Sequence, residues 1–77
     1  MIYTIEKQLA TIGSTGSAAK RLTVTSWNGN PAKLDLRTWR TVDGAEQPGK
    51  GLTLTTTEAA ALADALNDYL RGLDNGE

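Results

Sequence analysis

A chain of 77 residues with a formal net charge of −1, no cysteine and no histidine is one small domain, without disulfides, without the usual ligands for zinc, and without a Ser-His-Asp or Cys-His catalytic arrangement. A chain this short buries only about 60 % of the surface its unfolded form exposes, so a lone core is marginal and self-association is the expected source of further burial. There is no stretch of about 18 apolar residues and no basic-then-apolar N-terminus, which reads as a soluble intracellular protein with no membrane partner.

Taken in order, residues 2 to 9 alternate loosely, with Tyr3, Ile5 and Leu9 on one side and Thr4, Glu6 and Gln8 on the other, and predict a first strand whose apolar row Lys7 interrupts. Residues 13 to 19 have no apolar period and two glycines, and are expected to form a flexible loop. Lys20 to Trp27 alternates again: Leu22, Val24 and Ser26 face one way, Arg21, Thr23, Thr25 and Trp27 the other. Asn28-Gly29 suits a reversal with positive φ, so this run is expected to fold back as a hairpin on Lys33 to Arg40. There Leu34, Leu36 and Thr38 share one side and Lys33, Asp35, Arg37 and Trp39 the other. Asp43-Gly44 marks another reversal, Ala45 to Gly49 with Pro48 is expected to be a loop, and Gly51 to Thr55 gives a fourth strand with Leu52 and Leu54 inward.

Thr55 to Glu58 fits a capping box, and a helix follows in which Ala59, Leu62, Ala63, Leu66, Tyr69, Leu70 and Leu73 fall on one stripe, with Gly72 as its natural stop and residues 74 to 77 frayed. The order β-β-β-β-α is an α+β fold: a four-stranded antiparallel meander followed by one C-terminal amphipathic helix. One helix covers only part of a sheet face, leaving apolar surface for a second copy of the chain.

Charge is unevenly divided. Residues 20 to 50 carry six cations against three anions, +3, whereas the remainder carries two against six, −4, so cations gather on the predicted sheet and anions on the helix. Trp27 and Trp39 lie on the polar faces of adjacent strands, interleaved with Arg21, Lys33 and Arg37. Spaced cations and aromatic faces are what a binder of single strands needs for phosphates and unstacked bases. In a chain without phenylalanine the two tryptophans could equally be the main core residues, and both readings stand. Lys50, between two glycines, sits where backbone can approach a ligand, with Arg40 near the same loop. Asp35, between Lys33 and Arg37, is expected to orient a cation. Gly44 to Lys50 has the spacing of a phosphate-binding P-loop, but Gly51 stands where a serine or threonine would hold Mg²⁺ and a strand follows instead of a helix, so no nucleotide cofactor or metal is implied. The paired carboxylates Asp35 and Asp43 lack a cleft to shift their pKa values, and catalysis is not expected.

The sequence Ser26-Trp27-Asn28-Gly29, then Lys33-Leu34-Asp35-Leu36-Arg37 and Trp39, then Pro48-Gly49-Lys50-Gly51-Leu52-Thr53-Leu54, then a capped helix, resembles the single-stranded-DNA-binding domain of the transcriptional positive cofactor four family and its bacterial YdbC-type relatives. The resemblance runs over about residues 2 to 72 and is strongest from Trp27 to Leu70. It implies a homodimer formed through helices and sheets, and DNA contacts at Trp27, Trp39, Lys50 and the hairpin from Asn28 to Lys33. Thr25, Asn28 and Gln47 depart from more basic residues of the eukaryotic members. The expected function is sequence-independent binding of single-stranded DNA, and of RNA by the same chemistry, through Arg21, Thr25, Trp27, Asn28, Lys33, Arg37, Trp39, Arg40 and Lys50. Transcription, replication or repair would be the process, in the cytoplasm beside the nucleoid if the source is bacterial. The alternative is a protein-interaction module or coactivator that works mainly through contacts with transcription or repair proteins.

Overall fold

The computed structural model describes residues 2–74. Within them the chain forms β1 (Tyr3–Thr15), β2 (Ala18–Trp27), β3 (Lys33–Val42), β4 (Ala45–Leu54) and α1 (Thr56–Asp74). The strands make one antiparallel sheet in the order β1-β2-β3-β4, the meander expected.

Tight turns set this topology. Asn28 and Gly29 take φ of 53° and 78°, and the Asn30 amide donates to the Trp27 carbonyl at 2.9 Å, a turn whose twist matches its flanking strands. Asp43 and Gly44, with φ of 52° and 80°, repeat that conformation between β3 and β4. The expected flexible loop over 13–19 is not there: only Gly16 and Ser17 lie outside the strands, Gly16 supplying the positive φ of 57°. Likewise Ala45 to Gly49 belongs to β4. Two-residue hairpins convert polar, glycine-rich stretches into strand because the ladder satisfies their backbone groups whatever the side chains are.

β1 runs six residues beyond the expected Leu9, and its register slips three times, leaving Glu6, Leu9 and Ile12 without partners on β2. Each slip is a bulge that bends the edge strand and shifts its alternation, which is why Lys7 falls out of phase: it lies opposite Val24.

The register sorts side chains into rows. One face carries Lys7–Val24–Leu34–Leu54, Ala10–Leu22–Leu36–Leu52, Gly13–Lys20–Thr38 and Thr15–Ala18–Arg40–Gln47. The other carries Tyr3–Trp27, Gln8–Thr23–Asp35–Thr53, Thr11–Arg21–Arg37–Gly51 and Ser14–Ala19–Trp39–Pro48. The first is the helix-side face: a hollow of about 180 Å³ between it and α1 is lined by Leu22, Leu34, Leu54, Ala59, Leu62, Ala63 and Leu66.

α1 starts with the capping box intact. The Glu58 amide donates to the Thr55 hydroxyl at 3.1 Å, and the Thr55 amide to the Glu58 carboxylate at 2.8 Å, which holds that carboxyl below its usual range. Gly72 does not stop the helix, which continues to Asp74. Of the expected frayed tail, Asp74 is helical and residues 75–77 lie outside the described residues. The second half of the apolar stripe, Leu66, Tyr69, Leu70 and Leu73, stays exposed because the helix meets the sheet only through its first turns.

The well-buried set is unusual. Trp39, Thr23, Thr25 and Asp35 are the most enclosed side chains, all on the face away from the helix. The large side chains of this face, Tyr3, Trp27, Arg37 and Trp39, pack on one another and account for this burial. Gly51 is part of that packing, since a Cβ there would fall on the Cβ of Arg37 and within 2.6 Å of its Cα. Replacing Gly51 by alanine should therefore destabilise the fold by about 1–3 kcal/mol, read as a lower urea midpoint with unchanged slope; an unaltered midpoint would contradict this packing.

Candidate nucleic-acid interface

The face away from the helix, the tryptophan face, is organised by one buried carboxylate. Asp35 is fully buried and accepts three hydrogen bonds: from Arg37 Nε at 2.7 Å, from Arg37 Nη2 at 2.8 Å and from Trp27 Nε1 at 3.0 Å. Arg37 and Asp35 are both odd-numbered in β3, so alternation puts them on one side, two residues apart, where a bidentate grip is in reach. The expectation that Asp35 orients a cation holds.

Arg37 is occupied on every side. Its guanidinium lies 4.4 Å from the Trp27 ring centroid, and its Nη1 donates to the Gly49 carbonyl at 3.0 Å. Tyr3, Trp27 and Trp39 complete the cluster, with centroids 5.3 Å apart for Tyr3–Trp27, 5.4 Å for Tyr3–Trp39 and 6.5 Å for the two stacked indoles.

The nine residues singled out from the sequence thus fall into different surroundings. Trp39, 2 % exposed, is an interior residue and offers no ring to a base; its indole N–H has no hydrogen-bond partner among the described residues. Thr25 is also buried, its hydroxyl 2.7 Å from that of Thr23. Arg21 forms a two-pronged bridge with Glu46, one prong at 2.8 Å, and this hydrogen bonding holds the Glu46 carboxyl below its usual range. Asn28 ties the hairpin to the start of β1, its side-chain oxygen accepting from the Ile2 amide at 3.2 Å and its own amide donating to the Ile2 carbonyl at 2.7 Å. Trp27 is half-buried, capped by Arg37 and Tyr3, with an edge on a hollow of about 150 Å³ shared with Thr25, Asn30, Pro31, Lys33 and Thr53. Lys33, Arg40 and Lys50 are exposed, and no salt bridge engages them among the described residues.

Of these three open cations, Lys33, opposite Thr25, shares the tryptophan face, and the other two do not. Arg40 shares the helix-side face with Leu34 and Leu36, and Lys50, in step with Leu52 and Leu54, lines a hollow of about 370 Å³ with Ile12, Lys20, Leu36, Arg37 and Thr38. Adjacent to it, Gly13, Ser14, Thr15, Ala18, Lys20 and Thr38 line a second hollow of about 300 Å³. Lys20 was missing from the candidate set although its even number in β2, in step with Leu22 and Val24, was a usable signal. The helix-side face therefore passes from two leucine-rich rows near α1 to two rows carrying Lys20, Arg40 and Lys50 and no carboxylate.

The chain's sequence matches a known family. The family described as Transcriptional Coactivator p15 (PC4) matches residues 15–65, from the end of β1 into α1. The chain belongs to that family. PC4 proteins are associated with single-stranded DNA binding and transcriptional coactivation. The chain is also 38 % identical over 66 residues to an uncharacterized protein of Treponema pallidum (strain Nichols), covering 84 % of this chain and 75 % of that one. The PC4 match spans all of β2, β3 and β4, and so includes Asp35, Arg37, both tryptophans and the open cations, but not Tyr3.

Because Asp35 compensates Arg37 in a buried setting, cutting it leaves an unpaired charge under the indoles. Asp35→Asn should cost about 3–5 kcal/mol of stability and raise the quenching of tryptophan fluorescence by acrylamide. A variant as stable as the parent would show the pair to be incidental.

Proposed function

We propose that this protein binds single-stranded DNA without sequence preference, as a homodimer, through the basic end of its helix-side face. The observation that carries this is the segregation of cations. Arg21 and Arg37 are neutralised by Glu46 and Asp35, while Lys20, Arg40 and Lys50 stand open in two neighbouring rows across β2, β3 and β4. Such spacing suits a line of phosphates, and the exposed Ile12 and Leu52 beside it offer apolar surface to unstacked bases. Lys33 and the free edge of Trp27 add a rim at the β2–β3 hairpin. Membership of the PC4 family supports the same ligand. Single-stranded RNA presents equivalent phosphates and bases and would be accepted by the same surface. The protein would act where strands are exposed in transcription, replication or repair, in the cytoplasm of a bacterial cell.

Dimerisation is supported by what the single chain leaves uncovered. Its radius of gyration is 14.6 Å, whereas a compact domain of 77 residues has about 11–12 Å. Trp39 is the sole fully buried hydrophobic residue among those described, and the outer half of the α1 stripe has no cover. A second copy laid against α1 supplies the missing core. The same surface could instead recruit transcription proteins, the alternative function; light scattering of the isolated protein separates the two, since about twice the chain mass at all workable concentrations supports the dimer and a persistent monomer the alternative.

Binding is tested by titrating the protein with oligo-dT at several salt concentrations. With about four phosphates engaged per site, log affinity should fall against log salt with a slope near −3. Lys50→Ala should weaken binding roughly tenfold and flatten that slope, with the fold unchanged. A flat salt response in the parent protein would overturn the mechanism.

A further inference from the structure

We propose that Asp35 and Arg37 are positioning residues for the nucleic-acid surface, and that they act by fixing the β4 bulge from which Lys50 projects. The inference deepens the binding reading above and rests on it.

The β3–β4 register is regular from Leu34↔Leu54 to Arg37↔Gly51 and resumes at Trp39↔Pro48. Two residues of β4, Gly49 and Lys50, thus stand against one of β3, Thr38. Held throughout to the register of the Asp43-Gly44 hairpin, an unbulged β4 would carry Lys50 opposite Arg37 and take Leu52 and Leu54 to the tryptophan face with it; the extra residue reconciles that register with the one beside α1, in which Lys50 keeps step with Leu52 and Leu54. The bulge is therefore the backbone from which the Lys50 side chain leaves β4.

The Arg37 guanidinium is what the bulge is fastened to. Its Nη1 donates to the Gly49 carbonyl at 3.0 Å, while Nε and Nη2 are held by the fully buried Asp35. A planar fork gripped on one edge has little freedom left, so the position of the Gly49 carbonyl follows from that of Asp35. Two glycines let the β4 backbone come close enough for this. A Cβ at Gly49 would lie 2.9 Å from the Thr38 carbonyl oxygen, and one at Gly51 would collide with Arg37. Arg37, with its charge answered by Asp35 and its face on Trp27, is then a support for the strand-binding residue and not a phosphate ligand.

The test is a double-mutant cycle on the full chain with oligo-dT as the probe, read beside amide NMR of the free protein. Arg37→Lys keeps the charge but loses the fork. It should move the Gly49, Lys50 and Gly51 amide signals, weaken oligo-dT binding about as much as Lys50→Ala, roughly tenfold, and add nothing further when the two are combined. Additive losses would make Arg37 a direct ligand, and unmoved bulge amides would remove its hold on β4; either overturns the proposal. Should Arg37→Lys fail to fold, the parent protein decides. An Arg37 Nε–H signal that stays in place on adding oligo-dT while the Lys50 amide shifts supports positioning, and an equal shift of both overturns it. Lys50→Ala binding like the parent would overturn the functional reading itself, separately from the bulge amides.

Discussion

The Asp35 carboxylate is the constraint on which the tryptophan face of this protein depends. A fully buried anion is tolerated only where its lone pairs are used and its charge is answered. Here one guanidinium and one indole N–H do both. The same guanidinium then covers the Trp27 ring and reaches the β4 backbone, so a single ion pair links β2, β3 and β4 at one point. Trp39 and Tyr3 close around that link, which gives a small domain its packed centre on the side where no helix lies.

This arrangement frees the other face for different work. Near α1 it is leucine-rich and only partly covered, and further along it turns basic. An amphipathic helix that meets the sheet through its first turns leaves Leu66, Tyr69, Leu70 and Leu73 in water, a condition that a second copy relieves. A net charge near zero therefore conceals a two-sided molecule: most carboxylates sit on α1 or are locked in ion pairs, and three open cations stand at the far end of the sheet.

The bulges show how much a flat reading of alternation leaves out. Three in β1 and one in β4 each add a residue to one strand only, and each exchanges the faces of the residues beyond it. A segment such as Gly13 to Ala19 looks like a loop because its side chains carry no pattern. It is mostly strand because two residues, Gly16 and Ser17, suffice to reverse the chain, and the neighbouring strand completes the backbone hydrogen bonds.

The sequence by itself determined the order of four strands and a helix, the Asn28-Gly29 and Asp43-Gly44 reversals, the capping box at Thr55, the role of Asp35 and the family to which the chain belongs. All of these rest on local chemistry or on spacing within one element. Only the tertiary structure decided that Trp39 and Thr25 are interior, that Arg21 and Arg37 are spoken for, and that Lys20 joins Arg40 and Lys50 on the helix-side face. These facts depend on register between strands, on side chains from different strands packing over one face without a helix, and on partners such as Glu46 lying 25 positions from Arg21. Alternation tells which side chains share a face of one strand, but not whether that face is open, filled by its neighbours or matched by an opposite charge.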